Sequence, residues 1–242
     1  MRFNLLTIFP DIFESFLREG IIRRSLESRK IEVAFTNIRD FATDRHAMTD
    51  DRPYGGGEGM VMKPEPLAGA IRQAKCQHEE SRVILLSPQG RPYNQEMASR
   101  LSREKGLILI CGRYEGVDER IRESFVEEEI SIGDYVLTGG ELGAMVIVDS
   151  VTRLLPGVLG CRDSALMDTF SRGGLKYPQY TRPRSFEGKE VPEVLLTGDH
   201  VRIEEWRFIK SVQATKKRRP DLFARMRFSL EEKKILKKHG EL

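Results

Sequence analysis

Apolar residues fall in short runs broken by polar or glycine-bearing turns, and these runs alternate with stretches of helical period. Phe3 to Phe9 predicts a first strand. Pro10 to Leu17 predicts a short helix, since proline fits the first helical position. Ile21 to Lys30 reads as a second helix, and Ile31 to Ile38 alternates as a strand does. Pro64 to Cys76 predicts a helix, Arg82 to Leu86 a strand entering Ser87-Pro-Gln-Gly90, and Asn94 to Lys105 a further helix. Leu107 to Cys111 is a short apolar run between glycines, the pattern of a buried strand. Ile130 to Leu137 reads as the next strand and Glu141 to Leu155, rich in alanine, methionine and valine, as a buried helix. Such an alternation implies an α/β fold with a mostly parallel sheet covered on both faces.

The stretch from Leu107 to Gly157 organises the rest. Its loops Gly112-Arg-Tyr-Glu-Gly116 and Gly139-Gly140 to Gly143, with Ser87 to Gly90 before them, follow buried strands. An α/β protein keeps its ligands there. Singly, each loop fits a tight turn; together they favour a site. Pro53-Tyr-Gly-Gly-Gly-Glu-Gly59 allows close backbone approach or simply a mobile loop. No Gly-Lys-Ser/Thr follows it, so it is not a phosphate loop, and no Gly-x-Gly-x-x-Gly follows any strand, so a dinucleotide site is not supported.

Gly157 to Leu175 lacks a clear period and reads as a linker. Beyond the short apolar Val191 to Leu196 the chain turns helical. Asp199 is placed to cap a helix carrying Ile203, Trp206 and Ile209, Pro220 opens another, and Ser229-Leu-Glu-Glu232 is a capping box for the last. Charge changes the picture here. His200 to Leu242 holds 13 Lys+Arg against 6 Asp+Glu, whereas the whole chain is only +3. This basic segment, with Lys216, Lys217, Arg218 and Arg219 between helices, suits RNA phosphates, although charge alone also fits a solvated helical face.

The 242 residues suffice for a substantial core. Cys76, Cys111 and Cys161 show no paired spacing, which argues against disulfides or zinc and suits a reducing cytoplasm. No apolar run nears the roughly 20 residues that span a bilayer, and the N-terminus lacks the features of a signal peptide.

Several motifs together resemble the bacterial tRNA (guanine-37-N1)-methyltransferases, the TrmD family of the SPOUT superfamily. They are Thr7-Ile-Phe-Pro-Asp11, Pro53 to Met60, Leu86 to Gly90, Cys111 to Arg120, Ser131 to Leu137, Arg153-Leu-Leu-Pro-Gly157, Tyr180-Thr-Arg-Pro183 and Trp206-Arg207. The resemblance implies a knotted S-adenosylmethionine-binding α/β domain over 1–157, a linker over 158–175 and a helical tRNA-binding domain over 176–242. The knot is a deep trefoil, a rare exception to unthreaded topology. The donor S-adenosyl-L-methionine would be held in a bent shape by Leu86, Ser87 and Pro88, then Gly112, Tyr114 and Glu115. The third loop would add Ile132, Gly133, Asp134, Tyr135, Val136, Leu137, Gly139 and Gly140. Gly143 departs from the proline that many members carry. The resemblance further implies a homodimer, each site combining the knot of one subunit with parts of the other. It also implies help from magnesium, for which no carboxylate cluster in the sequence supplies ligands.

Guanine N1 bears a proton and becomes nucleophilic only when that proton leaves, so transfer to it needs a base and a cation near O6. By resemblance these are Asp168 and Arg153. Residue chemistry alone leaves Asp168 a polar linker residue, with Asp163 a nearby rival, and Arg153 a possible partner of helix carbonyls. Competing expectations are a knotted enzyme acting on another RNA, a non-catalytic RNA-binding protein, and a structural scaffold. The presence of Arg153, Asp168 and the donor loops sets the second of these behind, and the scaffold, which leaves the polar loops unexplained, ranks last.

Overall fold

The computed structural model describes residues 1–160, 168–170 and 173–241. The chain divides into two compact units, Met1–Cys161 and Arg162–Leu242. In the first, strands β1 (Arg2–Thr7) and β2 (Glu32–Asn37) are joined through helices α1 (Glu14–Arg18) and α2 (Gly20–Glu27). The small ladder of β3 (Asp50–Asp51) and β4 (Val61–Met62) follows, then α3 (Pro64–Gln77), β5 (Arg82–Pro92), α4 (Gln95–Leu101) and β6 (Gly106–Cys111). The unit ends with α5 (Glu119–Phe125), β7 (Glu128–Ser131) and α6 (Glu141–Thr152).

The main sheet is wholly parallel, in the order β2-β1-β6-β5-β7. Pleating sends alternate side chains to opposite faces. Along β6, Leu107, Leu109 and Cys111 join one core with Phe3, Leu5, Ile84 and the α6 residues Ala144, Ile147 and Val151. Ile108 and Ile110 enter the other, against Leu67, Ile71 and Ala74 of α3 and Ile121 of α5. Every residue of β6 is buried, which explains its unbroken apolar run.

In the first unit three expectations need correction. The strand expected over Ile130 to Leu137 ends at Ser131. Ser131 Oγ donates to the Gly133 carbonyl at 3.0 Å and accepts from its amide at 3.2 Å, while Tyr135 N–H donates to the Gly133 carbonyl at 2.9 Å. These local bonds occupy the polar groups that a ladder would need. The helix expected over Asn94 to Lys105 spans only Gln95–Leu101, with Asn94 as its cap, accepting from Met97 N–H at 2.9 Å. The strand expected to end at Leu86 resumes after a bulge and runs to Pro92.

The second unit carries the hairpin β8 (Ser185–Phe186) and β9 (Lys189–Glu190), then α7 (His200–Arg218), α8 (Pro220–Phe223) and α9 (Leu230–Lys238). Asp199 caps α7 by accepting from Arg202 N–H at 3.1 Å, and Ser229 with Glu232 forms the capping box of α9. Ile203, Ile209, Val212 and Thr215 of α7 and Leu236 of α9 are buried in it. Lys216, Lys217 and Arg218 lie in the last turn of α7 rather than between helices, where cations complement the helix dipole. No helix is long and apolar enough to cross a membrane among the described residues.

Candidate functional site

The C-terminal ends of β5, β6 and β7 open onto one cleft of about 510 Å³, a size that suits a small-molecule ligand. Its first wall is the bulge in β5. Leu86 and Arg91 both register beside Ile130 of β7, so Ser87 to Gly90 loops out between them. Gly90 crosses β7 so closely that a Cβ there would sit 2.5 Å from the Ile130 backbone nitrogen. The second wall follows β6, where Tyr114 holds a left-handed φ of 61°, a conformation that bulky residues seldom adopt outside constrained sites. Its loop is pinned from β4, with Glu115 N–H donating to the Met60 carbonyl at 3.0 Å and Met62 N–H to the Gly116 carbonyl at 2.9 Å. The third wall runs from Ile132 into α6.

Leu86, Ser87 and Pro88 line this cleft, as do Gly112, Tyr114 and Glu115. Ile132, Gly133, Tyr135, Val136, Leu137, Gly139 and Gly140 complete the group. Asp134 does not line it. Sequence reasoning assigned no role to Arg113, Gly116, Val117 or Thr138, which also line the cleft. Arg113 sat inside a quoted motif, but nothing in the sequence paired it with Glu141.

That pairing dominates the local electrostatics. Glu141, the first residue of α6, is 1% exposed. Its Oε1 accepts from Thr7 Oγ1 at 2.8 Å and from Arg113 Nε at 3.2 Å, and its Oε2 lies 3.0 Å from Arg113 Nη2. The Arg113 guanidinium also lies 4.4 Å from the centre of the Phe9 ring. Removing one member of a buried pair typically costs about 3–5 kcal/mol, because the other charge is left uncompensated. Burial pushes the nearby Cys111 thiol well up; Glu141 adds to that and Arg113 opposes it. Burial, then the Asp50 carboxylate, also raises the Tyr114 phenol.

Comparison with known proteins matches residues 1–225 to the sequence model of one family, described as tRNA (Guanine-1)-methyltransferase TrmD. The chain belongs to this family. It is 56% identical over 238 residues to a protein of Moorella thermoacetica, covering 98% of this chain and 95% of that protein. It is 55% identical over 236 residues to one of Geotalea uraniireducens, with 98% and 96% covered. A protein of Citrifermentans bemidjiense is 54% identical over 235 residues, with 97% and 94% covered. All three relatives are named tRNA (guanine-N(1)-)-methyltransferase.

Within this family member, Arg153 is the C-cap residue of α6, its backbone N–H directed to the Asp149 and Val151 carbonyls. Asp168 belongs to the second unit. Its Oδ1 accepts from Lys176 Nζ at 3.2 Å, and it borders a cavity of about 630 Å³ whose walls include Tyr177, Phe208 and Phe228. Asp163, the rival carboxylate, lies outside the described residues. Two quoted motifs meet here: the Tyr180 and Trp206 rings are 6.3 Å apart, and Arg207 lies 5.1 Å from the centre of the Tyr177 ring. Of the basic run, Arg219 is paired with Asp221 at 2.7 Å, and Lys216 lies 3.9 Å from Glu241. Lys217 and Arg218 are exposed. Among the described residues no group of three or more His, Cys, Asp or Glu side chains could hold a metal, and magnesium is assigned no ligands.

Proposed function

We propose that this protein transfers a methyl group from S-adenosyl-L-methionine to N1 of guanine in tRNA, at position 37 beside the anticodon. The observation that carries the donor assignment is the meeting of three strand-end loops around one cleft in a chain of this family. The donor supplies an activated methyl on its sulfonium, so the protein's task is orientation rather than activation. Backbone amides and carbonyls of Leu86 to Pro88, Gly112 to Glu115 and Ile132 to Gly140 are the groups to read the adenine edge. In this reading the segment adopts a deep trefoil knot of the SPOUT type.

Asp168 takes the N1 proton and Arg153 stabilises the charge that spreads to O6. The segment over 158–175 links the donor domain to a helical domain over 176–242, whose Lys216, Lys217, Arg218 and Arg219 meet tRNA phosphates. The protein acts in the cytoplasm as a homodimer, each donor cleft working with residues of the other subunit. The exposed Leu142 and Val146, one turn apart on α6, support an interface there.

The deciding experiment is transfer from labelled donor to unmodified tRNA transcripts with guanine or adenine at position 37, with the product located on the base. Methylation at N1 of guanine 37, absent with adenine, is expected. Transfer to another base or atom would overturn the assignment.

A further inference from the structure

We propose that Arg113 and Glu141 are positioning residues that hold the second and third loops of the cleft in register for the donor. The proposal rests on the donor reading above.

Glu141 does not line the cleft; its carboxylate lies behind the wall, held by Thr7 from the end of β1 and by Arg113 from the loop after β6. Arg113 does line the cleft and is further backed by the Phe9 ring. The backbone on either side of this pair is the cleft wall itself. Gly140 N–H donates to the Gly112 carbonyl at 2.9 Å, and Arg113 and Gly139 form an isolated antiparallel bridge. Two loops that no strand ladder connects are thus tied by one backbone bridge, of which the Gly140–Gly112 bond is part, and one forked ion pair.

A planar guanidinium engaging both carboxylate oxygens fixes direction as well as distance, which a lysine or an apolar pair would not. If the pair served stability alone, a well-packed apolar replacement would do as well. Its placement astride the donor's backbone contacts gives it a second consequence: the spacing of those groups changes when the fork is lost. Glu141 touches no ligand position, so any effect of Glu141→Gln on the donor is transmitted through Arg113 and the backbone.

The test is calorimetric titration of S-adenosylmethionine and S-adenosylhomocysteine into the full chain, with steady-state kinetics on a tRNA transcript and melting followed by circular dichroism. Glu141→Gln and Arg113→Gln should each weaken donor binding by about tenfold or more and raise the donor KM in parallel, with kcat at saturating donor within about threefold. Arg113→Lys should fall between wild type and Arg113→Gln. The double variant should be no worse than the weaker single, since both remove one interaction. Unchanged donor affinity in folded single variants overturns the proposal, as does multiplication of the two effects in the double variant. Should the charge variants fail to fold, Thr7→Val decides, because it removes the hydrogen bond that holds the Glu141 carboxylate from β1, together with the one that Thr7 Oγ1 accepts from Phe9 N–H, and keeps the ion pair. A two- to fivefold loss of donor affinity is expected, a fraction of what a hydrogen bond to a charged carboxylate contributes; unchanged affinity overturns the proposal. Wild-type protein that binds no donor would instead refute the donor reading itself.

Discussion

The amide of Gly140 donates to the carbonyl of Gly112 at 2.9 Å, and behind it the Cα of Cys111 is so near that a Cβ on Gly140 would lie 2.8 Å away. The neighbour is backbone at the end of a fully buried strand, with no flexible side chain to yield. Gly140→Ala is therefore expected to lower stability by about 1–3 kcal/mol, the usual range for overpacking. Donor affinity should fall with it. Urea unfolding and donor titration on the same preparation check both; an alanine variant with wild-type values would show that the loop shifts freely.

Asp168→Asn keeps the shape of the side chain and removes its capacity to take a proton. Transfer is expected to drop by roughly 10²–10⁴, the range of general base catalysis, while donor binding is unchanged. Single-turnover rates with tRNA in excess are the measurement. An active asparagine variant would remove Asp168 as the base.

The basic run should not act uniformly. Arg219 is engaged by Asp221 and Lys216 lies near Glu241, whereas Lys217 and Arg218 stand exposed at the end of α7. Substituting Lys217 and Arg218 together by alanine should reduce the slope of log affinity for tRNA against log salt by about 1–2. Arg219→Ala should change it less. Filter-binding or fluorescence titrations at several salt concentrations test this, and equal effects at all four positions would contradict it.

Tyr93 gives the stability a defined alkaline limit. Its hydroxyl lies 2.6 Å from Ser150 Oγ, and burial pushes its pKa up to about 12; the Ser150 bond opposes this and Asp149 adds to it. The folded state thus holds this proton more tightly than the unfolded chain. Its contribution is fully present below about pH 10 and is lost as pH rises towards about 12, amounting to about 2–3 kcal/mol. Urea denaturation between pH 8 and 11.5 should show this decline, and Tyr93→Phe should flatten it. A decline that persists in the phenylalanine variant would assign it to other groups.

Much of the first unit was legible because β6 and its neighbours are buried on both faces, which leaves unbroken apolar runs at Leu107 to Cys111 and Arg82 to Leu86. Caps were equally plain at Asp199 and Ser229, which announce helices through their own side-chain chemistry, whereas Asn94 was expected as the first helical residue and is the cap. Ile130 to Leu137 misled because Val136 and Leu137 extend an apolar pattern, yet both are exposed at the cleft mouth. The Arg113–Glu141 pair was invisible for another reason. Its members are 28 residues apart, and only the meeting of the loop after β6 with the start of α6 brings them together.

The bulge in β5 sets a condition on length as well as on residue type. Because Leu86 and Arg91 are both registered against Ile130, the intervening loop is a closed arch standing on one footing. Gly90 leaves no room for a Cβ, and removing one residue of the arch would shift the register of Arg91 and Pro92, the two positions of β5 that follow it. The strand β7 thus acts as a ruler for the first wall of the cleft, so that substitutions there alter what the arch displays and insertions or deletions alter whether the sheet closes behind it.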